Sequence, residues 1–196
     1  YKRNHAAVFG LFVVALIIVM AITASFLYPE DPFRLVGKPL SKPLTNGFLL
    51  GSDSLGRDVA SGIVHGAKTS LLIGFVATLV SVFIGIFFGA FAGYFGGLID
   101  DILMRVTEIF QTIPSFIFAI LLVAIMKPSM SSIVIAIEVV SWPGVARLVR
   151  GEFLAVKNRE FVQACHTLGM SDLRIMLWEI LPNCLSPIIV VGSLMV

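Results

Sequence analysis

The run from Val8 to Leu27 carries no charged residue, and only Thr23 and Ser25 in it are polar. A helix needs about 20 mostly apolar residues to cross the hydrocarbon core of a bilayer, and this run supplies them. In lipid the backbone must satisfy its own hydrogen bonds, so such a segment is helical. It is long for a signal peptide and shows no small-residue cleavage site, so it reads as a retained helix. Four more apolar runs follow: Ser70 to Phe95, Ile99 to Met126, Ser132 to Leu148 and Met176 to Val196. The expectation is an all-α integral membrane protein, a polytopic bundle with five spanning helices. Composition agrees. The chain is 58% hydrophobic and 13% charged, whereas a soluble domain carries about 25% charged residues. That leaves too little polar surface to cover a water-soluble globule.

The runs differ in detail. The second holds Gly85, Gly89 and Gly93 at every fourth position, a spacing that lets another helix approach closely. The first half of the third is amphipathic, with Ile99, Ile102, Val106, Ile109 and Ile113 at helical spacing, and Pro114 is expected to kink it. The fourth contains Glu138, an ionisable group inside a span and therefore a candidate for the translocation path. A structural partner or a place near the headgroups would also explain it. Two polar stretches interrupt the runs. The sequence divides into an N-terminal spanning helix over 1–28, an extracytoplasmic loop over 29–68 and a core membrane domain over 69–196, with a cytoplasmic loop at 150–174. Basic residues favour this orientation weakly, and the group from Arg147 to Arg174 is its best support. The chain begins at Tyr1 and ends inside an apolar run, so it reads as part of a longer protein.

Chemistry of its own is not expected. No phosphate-binding Gly-x-x-x-x-Gly-Lys-Ser/Thr run, Gly-x-Ser-x-Gly elbow or His-Glu-x-x-His zinc helix occurs. Cys165 and Cys184 lack metal-ligand spacing. His5, His65 and His166 are scattered through polar segments and read as solvated or interfacial residues. No catalytic residue, metal or cofactor is expected on this chain. The net charge of +2 is not gathered into one block, which argues against nucleic acid. Two polar segments remain. In the first, Gly51, Asp53, Gly56, Arg57 and Asp58 form a capped turn or a contact for an outside partner. In the second, Phe161, Ala164, Cys165 and Leu168 form a helical apolar stripe, suited to a groove on another protein or to a lipid surface. Gly169 is placed to end that helix, and Ser171 or Asp172 to cap the next.

The stretch EFVQACHTLG from Glu160 to Gly169, followed by MSDLRIMLWEILPN from Met170 to Asn183, resembles the cytoplasmic signature loop of ATP-binding-cassette importer permeases. Gln163, Ala164 and Cys165 stand for its Glu-Ala-Ala, and Gly169 and Leu181-Pro182 keep its Gly and Leu-Pro. The form Ile-Leu-Pro-Asn is similar to the dipeptide, oligopeptide and nickel importer subfamily. LGSDSLGRD from Leu50 to Asp58 is close to a motif of that subfamily, with Ser52 where Thr is usual. GAKTSL from Gly66, AGYFGG from Ala92, Trp142-Pro143 and ARLVRG from Ala146 also fit it. Their order resembles the second, C-type permease of such systems.

The resemblance implies a type I importer transmembrane domain, with a sixth helix expected beyond Val196. It implies a bacterial cytoplasmic (inner) membrane location and a peptide as cargo, with nickel or a glutathione-type molecule as alternatives. The implied partners are a second homologous permease, two ATP-binding subunits that carry the ATP and Mg, an external substrate-binding protein, and lipid. Phe161, Gln163, Ala164, Cys165, Leu168, Gly169, Leu181 and Pro182 become the ATPase-coupling residues. A stand-alone secondary transporter is the weaker reading, because Glu138 alone would have to serve as its coupling carboxylate.

Overall fold

A computed structural model describes residues 5–45 and 47–195. Lys2 and Arg3, two of the basic residues on the inner side if the amino terminus lies inside, fall outside them. The chain divides into two compact units, Tyr1–Leu72 and Ile73–Val196. Among the described residues, seven helices carry the architecture: α1 (His5–Leu27), α2 (Val59–Phe95), α3 (Gly97–Thr112), α4 (Ser115–Ile125), α5 (Met130–Val156), α6 (Glu160–Thr167) and α7 (Asp172–Met195). Four of them, α1, α2, α5 and α7, are long and apolar enough to span a membrane, and α3 with α4 make a fifth if the bent pair is one span.

In the first unit α1 exposes nearly all of its side chains, as a helix surrounded by lipid does. The loop after it is folded on itself. Gly51 (φ 84°) and Gly56 (φ 80°) adopt the left-handed backbone, and a Cβ on either would overlap the carbonyl oxygen of Ser41 or Gly37. No other residue fits there. The Asp53 carboxylate accepts the N–H groups of Leu55 and Arg57, both at 2.8 Å. The bond from Arg57, reinforced by that from Leu55, holds this carboxyl below the ordinary Asp range. Asp58 caps α2 by accepting the Ala60 N–H at 2.9 Å, a contact worth about 1 kcal/mol. The helix therefore starts at Val59, well before the apolar run at Ser70 and inside the segment 29–68 that the sequence reads as loop.

In the second unit the glycine stripe of α2 meets α5. A Cβ at Gly85 would lie 2.5 Å from Val145, one at Gly93 would lie 2.6 Å from Phe153, and one at Gly89 would overlap the Ala146 carbonyl. Bare backbone is what lets these helices touch. Around that seam Val149, Phe153, Val162, Ile175 and Ile180 are fully buried. The expected third span is two helices bent by 79°. Pro114 disfavours the helical conformation for the residue before it, and Ile113 is extended at φ −91°, ψ 133°. The fourth run is longer than its apolar stretch, because α5 continues through Arg150 to Val156. The polar segment 150–174 thus begins inside a helix.

Candidate coupling interface

Helix α6 lies between α5 and α7 in sequence and is two-faced. Val162 is fully buried, and Cys165 packs against the same core. On the other side Phe161, Gln163, Ala164 and Leu168 are exposed, Leu168 to 80%. The expected stripe therefore splits. Cys165 turns inward with Val162, while Phe161, Ala164 and Leu168 form a small apolar face open to the outside.

The end of α6 is fixed by backbone geometry. Gly169 has φ 76°. Its N–H donates to the His166 carbonyl at 3.0 Å, and the Met170 N–H donates to the Cys165 carbonyl at 3.2 Å. This paired arrangement closes a helix around a left-handed glycine. The next helix is not capped as expected. Ser171 occupies the capping position without a side-chain bond. The Asp172 carboxylate instead accepts the Tyr94 hydroxyl proton at 2.7 Å.

Pro182 sits well inside α7, not at its start. It has no N–H to give, and its ring crowds the carbonyl one turn back. The preceding segment, Ile175–Ile180, widens into a π-helix, with the Leu181 N–H reaching the Met176 carbonyl. Such a bulge is a recognised way to relieve a misfit in a helix. The Asn183 amide then donates to the Glu179 carbonyl at 2.7 Å. The Leu-Pro-Asn run is in this way a local answer to a proline within a helix.

Polar contacts that the sequence did not reveal gather in the same unit. Arg150 on α5 donates twice to Asp100 on α3, from Nε and from Nη2, each at 2.5 Å. The Asp100 side chain is only 13% exposed, so the pair fastens the start of the bent element to α5. The Lys157 ammonium donates to the Tyr94 carbonyl at 3.5 Å. No periodic pattern links Asp100 to Arg150, because the pairing depends on how α3 and α5 pack. Glu138 lies elsewhere on α5, half-buried. Among the described residues it has neither an ion-pair nor a hydrogen-bond partner.

Residues 85–195 match the family described as binding-protein-dependent transport system inner membrane component. The chain belongs to this family. Residues 1–43 also match the N-terminal transmembrane domain of oligopeptide transport permease C. Among curated relatives, the dipeptide transport system permease of Bacillus subtilis is 39% identical over all of this chain and 61% of its own length. The dipeptide transport system permease of Escherichia coli K12 is 42% identical over 99% of this chain and 67% of its own. The oligopeptide transport system permease of the same strain is 38% identical over 100% and 66%. The chain thus spans about two thirds of the length of these relatives. The family is that of helical type I importer membrane domains, which bears out the fold class and the resemblance drawn from the signature loop. Membership also places the chain in the inner membrane.

Proposed function

We propose that this chain is a permease subunit of an ATP-driven importer of dipeptides or oligopeptides, and that α6 is the element through which ATPase subunits drive it. The family supports the permease role, and the names of the relatives support a peptide as cargo. The observation that carries the coupling role is the two-faced α6. Val162 and Cys165 hold it to the core, while Phe161, Ala164 and Leu168 stand exposed in a segment too polar for lipid. An apolar face in that position calls for a protein surface to cover it. Ala164 is small, so the covering surface comes close. Gln163 flanks the contact, Gly169 ends the helix, and Leu181-Pro182 lie beyond the π-segment through which α7 continues.

On this reading the chain pairs with a second homologous permease. Two ATP-binding subunits hold and hydrolyse the nucleotide with its Mg, and an external binding protein delivers the peptide. Closure of the ATPase pair favours one of two arrangements of the membrane helices by its differential contacts. Glu138 faces the path or the bundle interior, and the loop motif from Gly51 to Asp58 shapes the outer segment.

The test is Ala164→Arg in the complete transporter, followed by copurification of the ATPase subunits and an uptake assay. Membrane levels of the permease serve as the folding control. The expected result is normal accumulation with both association and uptake lost. Normal association and uptake in Ala164→Arg would overturn the coupling role of α6.

A further inference from the structure

One phenol joins three pieces of the second unit. Tyr94 stands in the last turn of α2, and its side chain packs against the buried core. Its hydroxyl donates to Asp172, the first residue of α7, at 2.7 Å. The same oxygen lies 3.4 Å from His166 Nε2, in the last turn of α6. The His166 ring stacks on the phenol at 6.3 Å between centroids and 25° between planes. A phenol has one proton to give. Asp172 takes it, so His166 must donate from Nε2–H to the phenolic oxygen. Among the described residues, the side-chain hydrogen bonds that leave the segment 160–172 for another membrane helix both end on this hydroxyl.

The surroundings make that link mechanical. Gly169 (φ 76°) separates α6 from α7, and Gly96 (φ 67°) and Gly97 (φ 52°) follow Tyr94 at the end of α2. Glycines at positive φ make joints that bend at little steric cost. The link therefore clamps α6 and the start of α7 to α2 across points where the chain would otherwise hinge. A hydrogen bond to a carboxylate is stronger and more directional than apolar contact alone. Without it, α6 would still sit on the core through Val162, but a push on α6 would rotate it about Gly169 and leave α2 behind.

We propose that Tyr94 is a positioning residue for transport, whose hydroxyl transmits the displacement of α6 to α2 and α7 through Asp172 and His166. The proposal rests on α6 being the docking element. Tyr94 is not part of the docking face, so its loss uncouples the machine and leaves the ATPase subunits attached.

The experiment is Tyr94→Phe in the complete transporter, reconstituted in vesicles with its binding protein and a labelled alanyl-alanine dipeptide. ATP hydrolysed per dipeptide imported is the readout. The expected result is normal accumulation, normal copurification of the ATPase subunits, and at least a roughly fivefold rise in ATP used per dipeptide, the lower end of typical coupling factors between sites. Asp172→Ala should reproduce the effect, and the double variant should add little to it, as expected for two groups in one link. Asp172→Asn keeps an acceptor for the phenol and should restore most of the coupling. A ratio within twofold of the parent protein in both Tyr94→Phe and Asp172→Ala overturns the proposal. So does full additivity of the two. Ala164→Arg separates this from failure of the docking assignment: loss of ATPase association in that variant upholds docking on α6, and retained association overturns the docking assignment itself.

Discussion

Glu138 is the residue whose environment demands most from outside the single chain. It lies half-buried on a spanning helix and has no charged or hydrogen-bonding partner among the described residues. A carboxylate near the middle of a membrane helix costs about 3 kcal/mol on insertion scales, so it is kept where water, a substrate or a neighbouring subunit meets it. The cargo proposed above, a peptide, carries a cationic amino terminus, which is the complement of such a group. Glu138→Gln keeps the shape and removes the charge. It should lower uptake of a lysine-containing dipeptide by roughly tenfold, equivalent to about 1.4 kcal/mol, and affect an uncharged side chain less. Unchanged uptake of both in a labelled-peptide assay would remove Glu138 from the path. The position of this residue in a span is plain from the sequence, but what faces it is not, because that depends on helix packing. Asp100, Arg150, Tyr94 and Asp172 teach the same lesson. Each is conspicuous only after folding has brought it to its partner.

At the scale of helices, the most legible feature was the glycine stripe of α2. The four-residue repeat of Gly85, Gly89 and Gly93 announces a close helix neighbour without naming it. The neighbour, α5, offers Val145, Val149 and Phe153, ordinary apolar residues that resemble those of any core helix. Element ends were less legible, because apolar runs report what lipid tolerates and not where helical hydrogen bonding stops. Asp58 starts α2 in polar sequence, and buried Val149, Phe153 and Val156 carry α5 past Arg150. Pro114 was legible as a bend, but the 79° angle also needed Ile113 to be extended. The seam between α2 and α5 gives a direct test. A Cβ at Gly89 would lie 2.7 Å from that of Val149 as well as on the Ala146 carbonyl. Gly89→Val should therefore cost about 3 kcal/mol or more through overpacking. Gly144→Ala, on the same α5 but with nothing within 4 Å of the new carbon, should be close to neutral. Thermal unfolding in detergent and membrane accumulation would show the difference. Equal midpoints for the two variants would contradict the close approach.

At the scale of the molecule, the open matter is how many times the chain crosses, and the bent pair decides it. At 1.5 Å per residue, α4 with its 11 residues is roughly 16 Å long, short of the hydrocarbon core of about 30 Å. It crosses only if the apolar face of α3 contributes. If α3 and α4 together make one span, three crossings separate the loop around Lys42 from the segment around Asn158, through α2, the pair and α5. The two loops then face opposite sides. If the pair turns back instead, two crossings separate them and they face the same side. Basic residues from Arg147 to Arg174 favour an inner location for the second loop, and an ATPase docking on α6 requires it. Both Lys42 and Asn158 are exposed, so each reports on its side without disturbing the fold. With Cys165 and Cys184 replaced, Lys42→Cys should react with a membrane-impermeant thiol reagent on intact cells, and Asn158→Cys only after permeabilisation. Labelling of both in intact cells would make α3 and α4 a re-entrant pair, and would place α6 on the side where no ATP is available to drive it.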